Sequence, residues 1–474
     1  MSAPFRAEST ADFRAAYKEG RSTPEAVARR VLQATQASEE LDPPLRVFIA
    51  QHEDDLLEQA RASADRWARG APMGPLDGVP VAVKDELDQR GYPTTVGTSF
   101  QGQEPATKDA TCVDRLRRAG AMLIGKTNMQ EIGLGVTGIN PHHGAVRNPH
   151  NTGHATGGSS SGSGAAVAAG LCPLAVGADG GGSVRIPAAI CGVVGLKPTF
   201  GRVSEHGAAP VCWSVAHIGP MAANVEDTAL ALGLMAGPDR ADPNSWAQPP
   251  LKLGDLEGGV QGLRVGWSEE WARQADPEVM AASRAAVARL EEAGARLVRL
   301  DAPDTDLIRV VLSLTIGVEM AASQYEHWME DKRRYGADTR ALLQLANTVP
   351  AVDYVRAQRF RGLIGDQFAA MLEQVDVIAT PATAATAPPI HDDALAHGQS
   401  DDKSLEQMTA YSYAANLTGL PALSVPAGYD SAGLPVGLQL MGPHWGEATL
   451  LRCGRVVERG HVGKEPGTHY RLLP

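Results

Sequence analysis

The stretch ATGGSSSGSGAAVAAG, residues 155–170, is the part of the sequence on which the fold prediction depends. Its first half is rich in glycine and serine, as in a flexible linker between domains. Such a linker has polar sequence on both sides, whereas here the uncharged, small-residue run AAVAAGLCPLAV follows at once at 165–176. That run has to be buried. The stretch therefore indicates a loop that leads directly into a core, and one of its serines becomes a candidate for chemistry.

Composition limits the class of protein. The chain has 474 residues, 43% of them hydrophobic and 21% charged, as in ordinary globular proteins, and its length allows one large α/β domain or two to three smaller ones. A net charge of -12 argues against a nucleic-acid surface, and the basic cluster at 332–334 follows an acidic pair, as on a solvated helix face. The start of the chain lacks a secretory signal, and no run of roughly eighteen apolar residues predicts a membrane span. We expect a cytoplasmic protein without a membrane or nucleic-acid partner.

The cysteines and histidines do not indicate a disulfide framework or a metal site. The five cysteines are odd in number, widely scattered and contain no CxxC pair. Four histidines occur in PHHGAVRNPHNTGH, 141–154, but glycine and proline separate them and no metal-ligand spacing such as HExxH is present. We interpret this segment as a polar loop and expect neither a metal nor an organic cofactor.

Strand and helix patterns alternate along the chain. Ser22 or Thr23 before Pro24 predicts a helix start, and Val79 to Val83 forms a short apolar strand. The segment 112–135 reads as helix, strand and helix, and two strands surround a turn containing Gly433. This alternation predicts an α/β protein with its sheet sandwiched by helices, and a single domain in which the more helical segment 225–400 elaborates the helical face.

Four short motifs match known expressions but lack the required context. GAMLIGKT, 120–127, fits a P-loop, yet the residues that should wrap a phosphate are themselves a strand. GLGVTG, 133–138, follows a helical pattern rather than a strand, and GSSSG, 158–162, follows turn formers rather than the strand that a nucleophile elbow needs. SDDK, 400–403, lies in a polar run that cannot desolvate its lysine. None of the four supports a function.

Three other features favour chemistry together. Lys84 closes the apolar strand, the serine-rich loop enters a core, and Gly180 to Gly182 bring bare backbone to Ser183. Taken alone, a lysine at a strand end is usually solvated, and a serine after glycines can be incidental to a tight turn. Together they resemble a nucleophile system without histidine, in which a buried, neutral lysine activates a serine and a second serine relays the proton. Converging glycine amides suit a developing oxyanion.

These residues resemble the amidase signature family of serine hydrolases. The blocks GGSSSGSGAAVAAG, 157–170, and GADGGGSVRIPAAICGVVGLKPTFGRVS, 177–204, are similar to its signature. Further family-like segments follow the same order over residues 20–460, with 225–370 matching weakly: PLDGVPVAVKDELD, GAMLIGKTNMQEIGLG, AVRNPHNTG, DVIATPAT and NLTGLPALSVPAGYDSAGLPVGLQLMG. The resemblance implies a single α/β/α three-layer domain, 1–474, around a large twisted mixed sheet.

The resemblance also implies a Ser-Ser-Lys triad. Ser183 would be the nucleophile, Ser159 the bridging serine after a cis Gly158–Ser159 peptide, and Lys84 the base. The oxyanion hole would consist of the backbone amides of 180–182, with that of Ser183 as a further candidate. Two positions depart from the family pattern, because Ser161 replaces a common glycine and Gly180 replaces a bulkier residue.

The expected function is hydrolysis of a carbon–nitrogen bond through an acyl-enzyme. Small amides, anilides and carbamates fit this chemistry, with esterase or urethanase side activity, and the alternative is a glutaminase-type component of an amidotransferase complex. Specificity is expected to lie in 225–400 and in the loops near Thr137 and Trp213. The sequence does not identify the substrate, and it is compatible with a monomer or a homodimer.

Overall fold

A computed structural model describes residues 5–474. The strands are β1 (Phe48–Ala50), β2 (Pro80–Lys84), β3 (Met122–Thr127), β4 (Ile139–Asn140), β5 (Gly144–Ala145), β6 (Arg147–Asn148), β7 (Asn151–Ala155), β8 (Leu174–Ala178), β9 (Val194–Lys197), β10 (Ile218–Ala222), β11 (Arg264–Trp267), β12 (Arg296–Arg299), β13 (Val377–Pro381), β14 (Ala422–Tyr429) and β15 (Pro435–Met441). None of the helices in 5–474 is both long and apolar enough to cross a bilayer.

The helices precede, connect and follow these strands. They are α1 (Thr10–Lys18), α2 (Pro24–Glu39), α3 (Glu53–Ala68), α4 (Thr111–Arg118), α5 (Ser161–Ala168), α6 (Arg185–Cys191), α7 (Val225–Met235), α8 (Glu269–Ala272), α9 (Pro277–Glu292), α10 (Thr305–Ser323), α11 (Tyr325–Asp331), α12 (Ala337–Ala346), α13 (Ala351–Gln374), α14 (Asp392–Leu395), α15 (Asp402–Thr409), α16 (Tyr413–Thr418) and α17 (Glu447–Arg459). Short 3-10 turns lie at Glu131–Gly133, Pro243–Ser245 and Lys332–Arg334.

Eleven strands form one mixed sheet. Their order is β1-β3-β2-β8-β10-β9-β14-β15-β13-β11-β12. β3, β2 and β8 are mutually parallel neighbours, and so are β13, β11 and β12, whereas the pairs between them are antiparallel. The predicted α/β class with a large mixed sheet is therefore confirmed.

Helices cover both faces of this sheet. On β14, Leu423 faces α17, where it lies against Gly454, while its neighbour Ser424 faces the opposite side near Ala189 of α6. Successive side chains of a strand point to opposite faces, so α17 and α6 belong to different layers. Helices α7 and α9 pack with α17 on its side, and α5 packs with α6 on the other. The layer arrangement is the predicted α/β/α sandwich.

Most local predictions hold, but two are wrong. The segment 141–154, interpreted as a polar loop, contains the short strands β5 and β6 and most of β7. α2 begins at Pro24, and the Thr23 hydroxyl accepts a hydrogen bond from the Ala26 amide at 3.2 Å, as predicted for a helix cap. The helix expected after β3 is absent from the described residues 128–135. In its place is the single turn Glu131–Gly133, because the chain turns into positive φ at Gly133 and Gly135. The segment 225–400 is mostly helical, and it also supplies β11, β12 and β13 to the sheet.

The glycine- and serine-rich stretch enters the core as α5. Every residue of this helix is buried, although the helix carries four glycines and serines in its first turn. At Gly162, α5 lies directly against the backbone of the neighbouring segments. The Gly162 amide donates to the Asn128 carbonyl at 2.8 Å, and a Cβ placed on Gly162 would contact backbone atoms of Val47 and Asn128. The helix can therefore lie against the backbone of the neighbouring segments only with glycine at this position.

A pair of glycine substitutions tests this packing. Gly162→Ala should lower the free energy of unfolding by about 1–3 kcal/mol, because the new methyl group meets rigid backbone. Gly164→Ala is the matched control, since its methyl would meet mainly the side chains of Met221 and Pro187 at 3.2 Å, and the helix-propensity gain of alanine offsets that contact. Thermal melts of the two variants measure the difference. Equal melting temperatures would contradict the close backbone approach.

Candidate active site

The site begins at the end of β2, where Lys84 is fully buried. Its Nζ donates a hydrogen bond to Ser159 Oγ at 2.8 Å and another to the Ala178 carbonyl at 3.2 Å, and it lies 2.7 Å from Glu86 Oε2. The lysine is therefore enclosed by three oxygen atoms and does not extend into solvent. This placement disagrees with the ordinary interpretation of a strand-end lysine as a solvated surface group.

The serine-rich loop carries Ser159 into contact with Lys84. The Gly158–Ser159 peptide is cis, as the family resemblance implied. Around it, the Ser159 carbonyl accepts hydrogen bonds from the Gln130 amide at 3.1 Å and from the Ser161 hydroxyl at 3.3 Å. The extra hydroxyl at 161 thus stabilises the loop backbone.

Ser160, to which the elbow motif pointed, has a structural part. Its hydroxyl bonds both the carbonyl and the amide of Ala178, at 3.1 and 3.2 Å. Its own amide donates to the Ser183 carbonyl at 3.2 Å. Ser160 therefore joins the loop to the end of β8 and to the following turn.

The glycine turn after β8 presents Ser183, which is 7% exposed. Within it, the Gly182 amide donates to Asp179 Oδ1 at 2.7 Å and the Val184 amide donates to Asp179 Oδ2 at 3.1 Å. Among the residues of the chain that the structure describes, no acceptor pairs with the amides of Gly180, Gly181 and Ser183. The turn thus offers free amides at three positions, whereas the Gly182 amide, one of the three expected in the oxyanion hole, is already occupied.

A buried ion pair fixes this turn, and the sequence interpretation did not single it out. Arg185 donates from Nε and Nη2 to the two carboxylate oxygens of Asp179, both at 3.0 Å, and Asn416 donates to Asp179 as well. Burial alone would raise the pKa of Asp179, but the Arg185 guanidinium, with Lys197 further away, holds it well below its usual value. The sequence did contain a signal for this pair. Asp179 lies four residues before Ser183, and Arg185 lies two residues after it.

The three predicted side chains Lys84, Ser159 and Ser183 line one cavity of about 420 Å³. These three therefore share a space into which a substrate can enter, although they come from separate segments of the chain. The remaining wall is largely apolar and comes from the loop 133–136, from α10 and from α12, with Val136, Ile316, Met320 and Leu342 among its members.

Specificity was expected to lie partly in the loops near Thr137 and Trp213, and residues of both loops line the cavity. Trp213 itself is 45% exposed and lies outside the lining, whereas Val211, Cys212 and Ala216 of its loop line the cavity. Thr137 reaches it indirectly, because its hydroxyl bonds the lining residue Ser400 at 2.9 Å. The loops at 133–136 and 211–216 thus form the cavity wall together with helices of the divergent segment.

Cys212 explains the unusual glycine at 180. A Cβ on Gly180 would lie 2.6 Å from the Cys212 sulfur, so the thiol fills the space of the missing side chain. Burial, followed by the carboxylates of Glu86 and Glu319, raises the pKa of this thiol well above its ordinary value. The thiol therefore stays protonated at neutral pH and is a poor nucleophile, although it lines the cavity.

Comparison with known proteins agrees with this architecture. The sequence model of the family described as Amidase matches residues 29–451. The chain is 39% identical over 464 residues to a fatty acid amide hydrolase of Oryza sativa subsp. indica, covering 96% of this chain and 76% of the relative. It is 37% identical to a glutamyl-tRNA(Gln) amidotransferase subunit of Chloroflexus aggregans, covering 88% of this chain and 90% of the relative.

The solved structures give the same result. The native peptide amidase of Stenotrophomonas maltophilia superposes with a TM-score of 0.83 at 30% identity, covering 98% of both chains. The chain belongs to the amidase signature family. It is accordingly a hydrolase of carbon–nitrogen bonds other than peptide bonds, and the recognition made from the signature blocks is confirmed.

The Asp179–Arg185 pair leads to a prediction on stability. Asp179→Asn leaves the buried guanidinium uncompensated, and we expect a loss of about 3–5 kcal/mol of stability at neutral pH. Because the native state lowers the pKa of Asp179, the stabilisation is complete above the unfolded value of about 4 and is lost as the pH falls below it.

Thermal melts between pH 7 and pH 3 measure this effect. The wild-type protein should lose stability on acidification more steeply than the variant. Parallel melting curves for the two proteins over this range would show that the pair does not contribute the expected pH dependence.

Proposed function

We propose that this protein hydrolyses amide-type bonds with Ser183 as nucleophile, Ser159 as proton relay and Lys84 as base. The observation that carries the proposal is the 2.8 Å hydrogen bond between Lys84 Nζ and Ser159 Oγ, inside the cavity that Ser183 also lines. A serine hydroxyl is a weak nucleophile until a base removes its proton, and a buried amine can do so through an intervening hydroxyl.

The reaction follows from this arrangement. Ser159 accepts the proton of Ser183 while it passes its own proton to Lys84, and Ser183 Oγ attacks the substrate carbonyl carbon. The carbonyl oxygen becomes an oxyanion, for which the free amides of Gly180, Gly181 and Ser183 are the candidate donors. The leaving nitrogen then receives a proton back through Ser159, and water hydrolyses the acyl-enzyme. The Gly182 amide is left out of this donor set because Asp179 already accepts from it.

The cavity supports an apolar acyl group. Ile316, Met320 and Leu342 form a wall that can desolvate an alkyl or aryl chain but provides no polar partner. The rice relative named a fatty acid amide hydrolase is consistent with this substrate class. Carbamates with the same apolar portion present an equivalent carbonyl to Ser183 and belong to the same proposal.

A glutaminase role is the second candidate, because the amidotransferase subunit of Chloroflexus aggregans is 37% identical to the chain. Glutamine carries an α-carboxylate that needs a cationic partner. Among the described residues that line the cavity, Lys84 is the only lysine or arginine, and it is committed to Ser159. The apolar wall therefore favours amides without a free carboxylate.

Substitution of the nucleophile tests the proposed triad. Ser183→Ala should lower the kcat for amide hydrolysis by at least about 10³-fold, because it removes the oxygen that forms the acyl-enzyme. Ser431→Ala, on the exposed turn between β14 and β15, is the control and should retain wild-type activity. Initial rates on amides, anilides, esters and carbamates give the result.

Covalent labelling checks the same assignment independently of the substrate. A fluorophosphonate should add one label to the wild-type protein and none to Ser183→Ala, as read by intact mass. Full amide hydrolysis by the alanine variant would refute Ser183 as the nucleophile.

Filling the cavity tests the substrate class. Leu342→Trp shortens the space for an acyl chain, so we expect kcat/KM for an octanoyl anilide to fall by about tenfold or more while that for acetanilide changes little. Leu363→Trp is the matched control, because Leu363 lies on α13, is 59% exposed and does not line the cavity. Equal losses on both anilides would indicate that the acyl group binds elsewhere.

A further inference from the structure

A second cavity adjoins the one that holds the proposed triad. It has a volume of about 420 Å³ and lies between α8, α10, α15 and α16. Its charged side chains are all exposed and form its solvent side: Asp306, Arg309, Lys403 and Glu406. Its aliphatic side chains are buried or half-buried: Ile308, Ala384, Ala410 and Ala414. A cavity of this size with an apolar interior can hold an organic ligand, and the proposed mechanism does not use it.

A single side chain separates the two cavities. Among residues 5–474, only Tyr413 lines both of them. On α10, Arg309 lines the second cavity and Ser313 lines the first, and the four residues between these positions correspond to about 6 Å of helix. The cavities are therefore neighbours along α10, and the side chain of Tyr413 forms the wall between them.

Tyr413 lies next to the turn that presents Ser183. A Cβ placed on Gly181 would be 3.2 Å from Tyr413 Cε1 and 3.3 Å from Ile316 Cδ1, so both side chains pack against this glycine. Ile316 belongs to the apolar wall that is proposed to hold the acyl group. An acyl chain that runs along Ile316 therefore meets the ring of Tyr413, and the second cavity lies behind that ring.

The phenol of Tyr413 is anchored on both sides. Burial raises its pKa above the ordinary value, while hydrogen bonding with the side chains of Thr409, on α15, and Ser313, on α10, acts in the opposite direction. The hydroxyl thus has a partner on each of the two helices that border the second cavity. These contacts hold the ring as a fixed wall between the two spaces.

We propose that Tyr413 sets the upper limit on the length of the acyl group, and that the cavity behind it is an extension of the acyl pocket that the tyrosine ring closes. The inference rests on the proposed amide hydrolysis at Ser183 and specifies its substrates as amides of short- and medium-chain acids. Tyr413 determines specificity by the space that it occupies and takes no part in proton transfer.

Removal of the ring tests this limit. Tyr413→Ala joins the two cavities, so the ratio of kcat/KM for dodecanoyl anilide to that for octanoyl anilide should rise by about tenfold or more, because the four additional methylene groups then leave water for an apolar space. The ratio cancels any general loss of rate from disturbance of the Gly181 turn. Tyr325→Ala is the matched control, because Tyr325 is 56% exposed and lines neither cavity. It should keep the wild-type ratio, and an unchanged or lower ratio in Tyr413→Ala would overturn the proposal.

Refilling the second cavity distinguishes its opening from a general loosening of the site. In the Tyr413→Ala background, Ala410→Phe occupies space in the second cavity, so the ratio should return to within about threefold of the wild-type value. A ratio that stays high in the double variant would show that the longer chain does not enter this cavity.

A second substrate series tests which part of the substrate faces Tyr413. It keeps an acetyl group and lengthens an N-alkyl chain on the leaving side. The proposal predicts that Tyr413→Ala favours longer chains in the acyl series alone. A gain confined to the N-alkyl series would contradict the assignment of the cavity to the acyl group.

Tyr413→Leu provides the test if Tyr413→Ala does not fold, because it shortens the side chain but keeps it apolar. The same ratio should then rise by about threefold or more, and an unchanged ratio would again contradict the proposal. Fluorophosphonate labelling of Ser183 separates the two levels of the argument. If Ser183→Ala remains active, the triad itself is wrong, whereas a labelled, Ser183-dependent enzyme whose ratio does not respond shows that only the role of Tyr413 is wrong.

Discussion

The buried pair of Asp179 and Arg185 is the interaction on which the rest of the site depends. It ties the end of β8 to the glycine turn through the Gly182 and Val184 amides. Arg185 extends the contact to the Ser412 carbonyl at the start of α16 and to Gln439 on β15. Removing a charge of this kind from water is costly unless every partner is in place, so the pair holds four elements in one arrangement.

The parallel pairing of β2 and β8 then determines where the chemistry lies. Because the two strands run in the same direction, with Val83 opposite Val176, Lys84 and the glycine turn leave the sheet at the same edge. The loop before α5 brings Ser159 between them, and Ser160 fastens that loop to Ala178 on both of its backbone groups. These buried hydrogen bonds restrain a loop whose glycines would otherwise leave its backbone flexible.

The helices of the divergent segment complete a cavity with a mixed lining. Lys84, Glu86 and the two serines are polar, and α10 and α12 add the apolar side chains of Ile316, Met320 and Leu342. In such a cavity, a bound apolar group excludes water. The exclusion of water strengthens the electrostatic interactions among the reacting groups.

The sequence alone was sufficient to predict the α/β class, the burial of α5 and the family. The hydrophobic period, the helix caps and the signature blocks on which these predictions rest are local properties of the chain. Lys84, Ser159 and Ser183 could be named from their blocks, although no local pattern brings them into one cavity. The contact of Glu86 with Lys84, the occupied Gly182 amide and the Cys212 sulfur beside Gly180 could not be predicted. Each depends on how the backbone and side chains are placed in three dimensions, and strand pairing and helix packing set that placement.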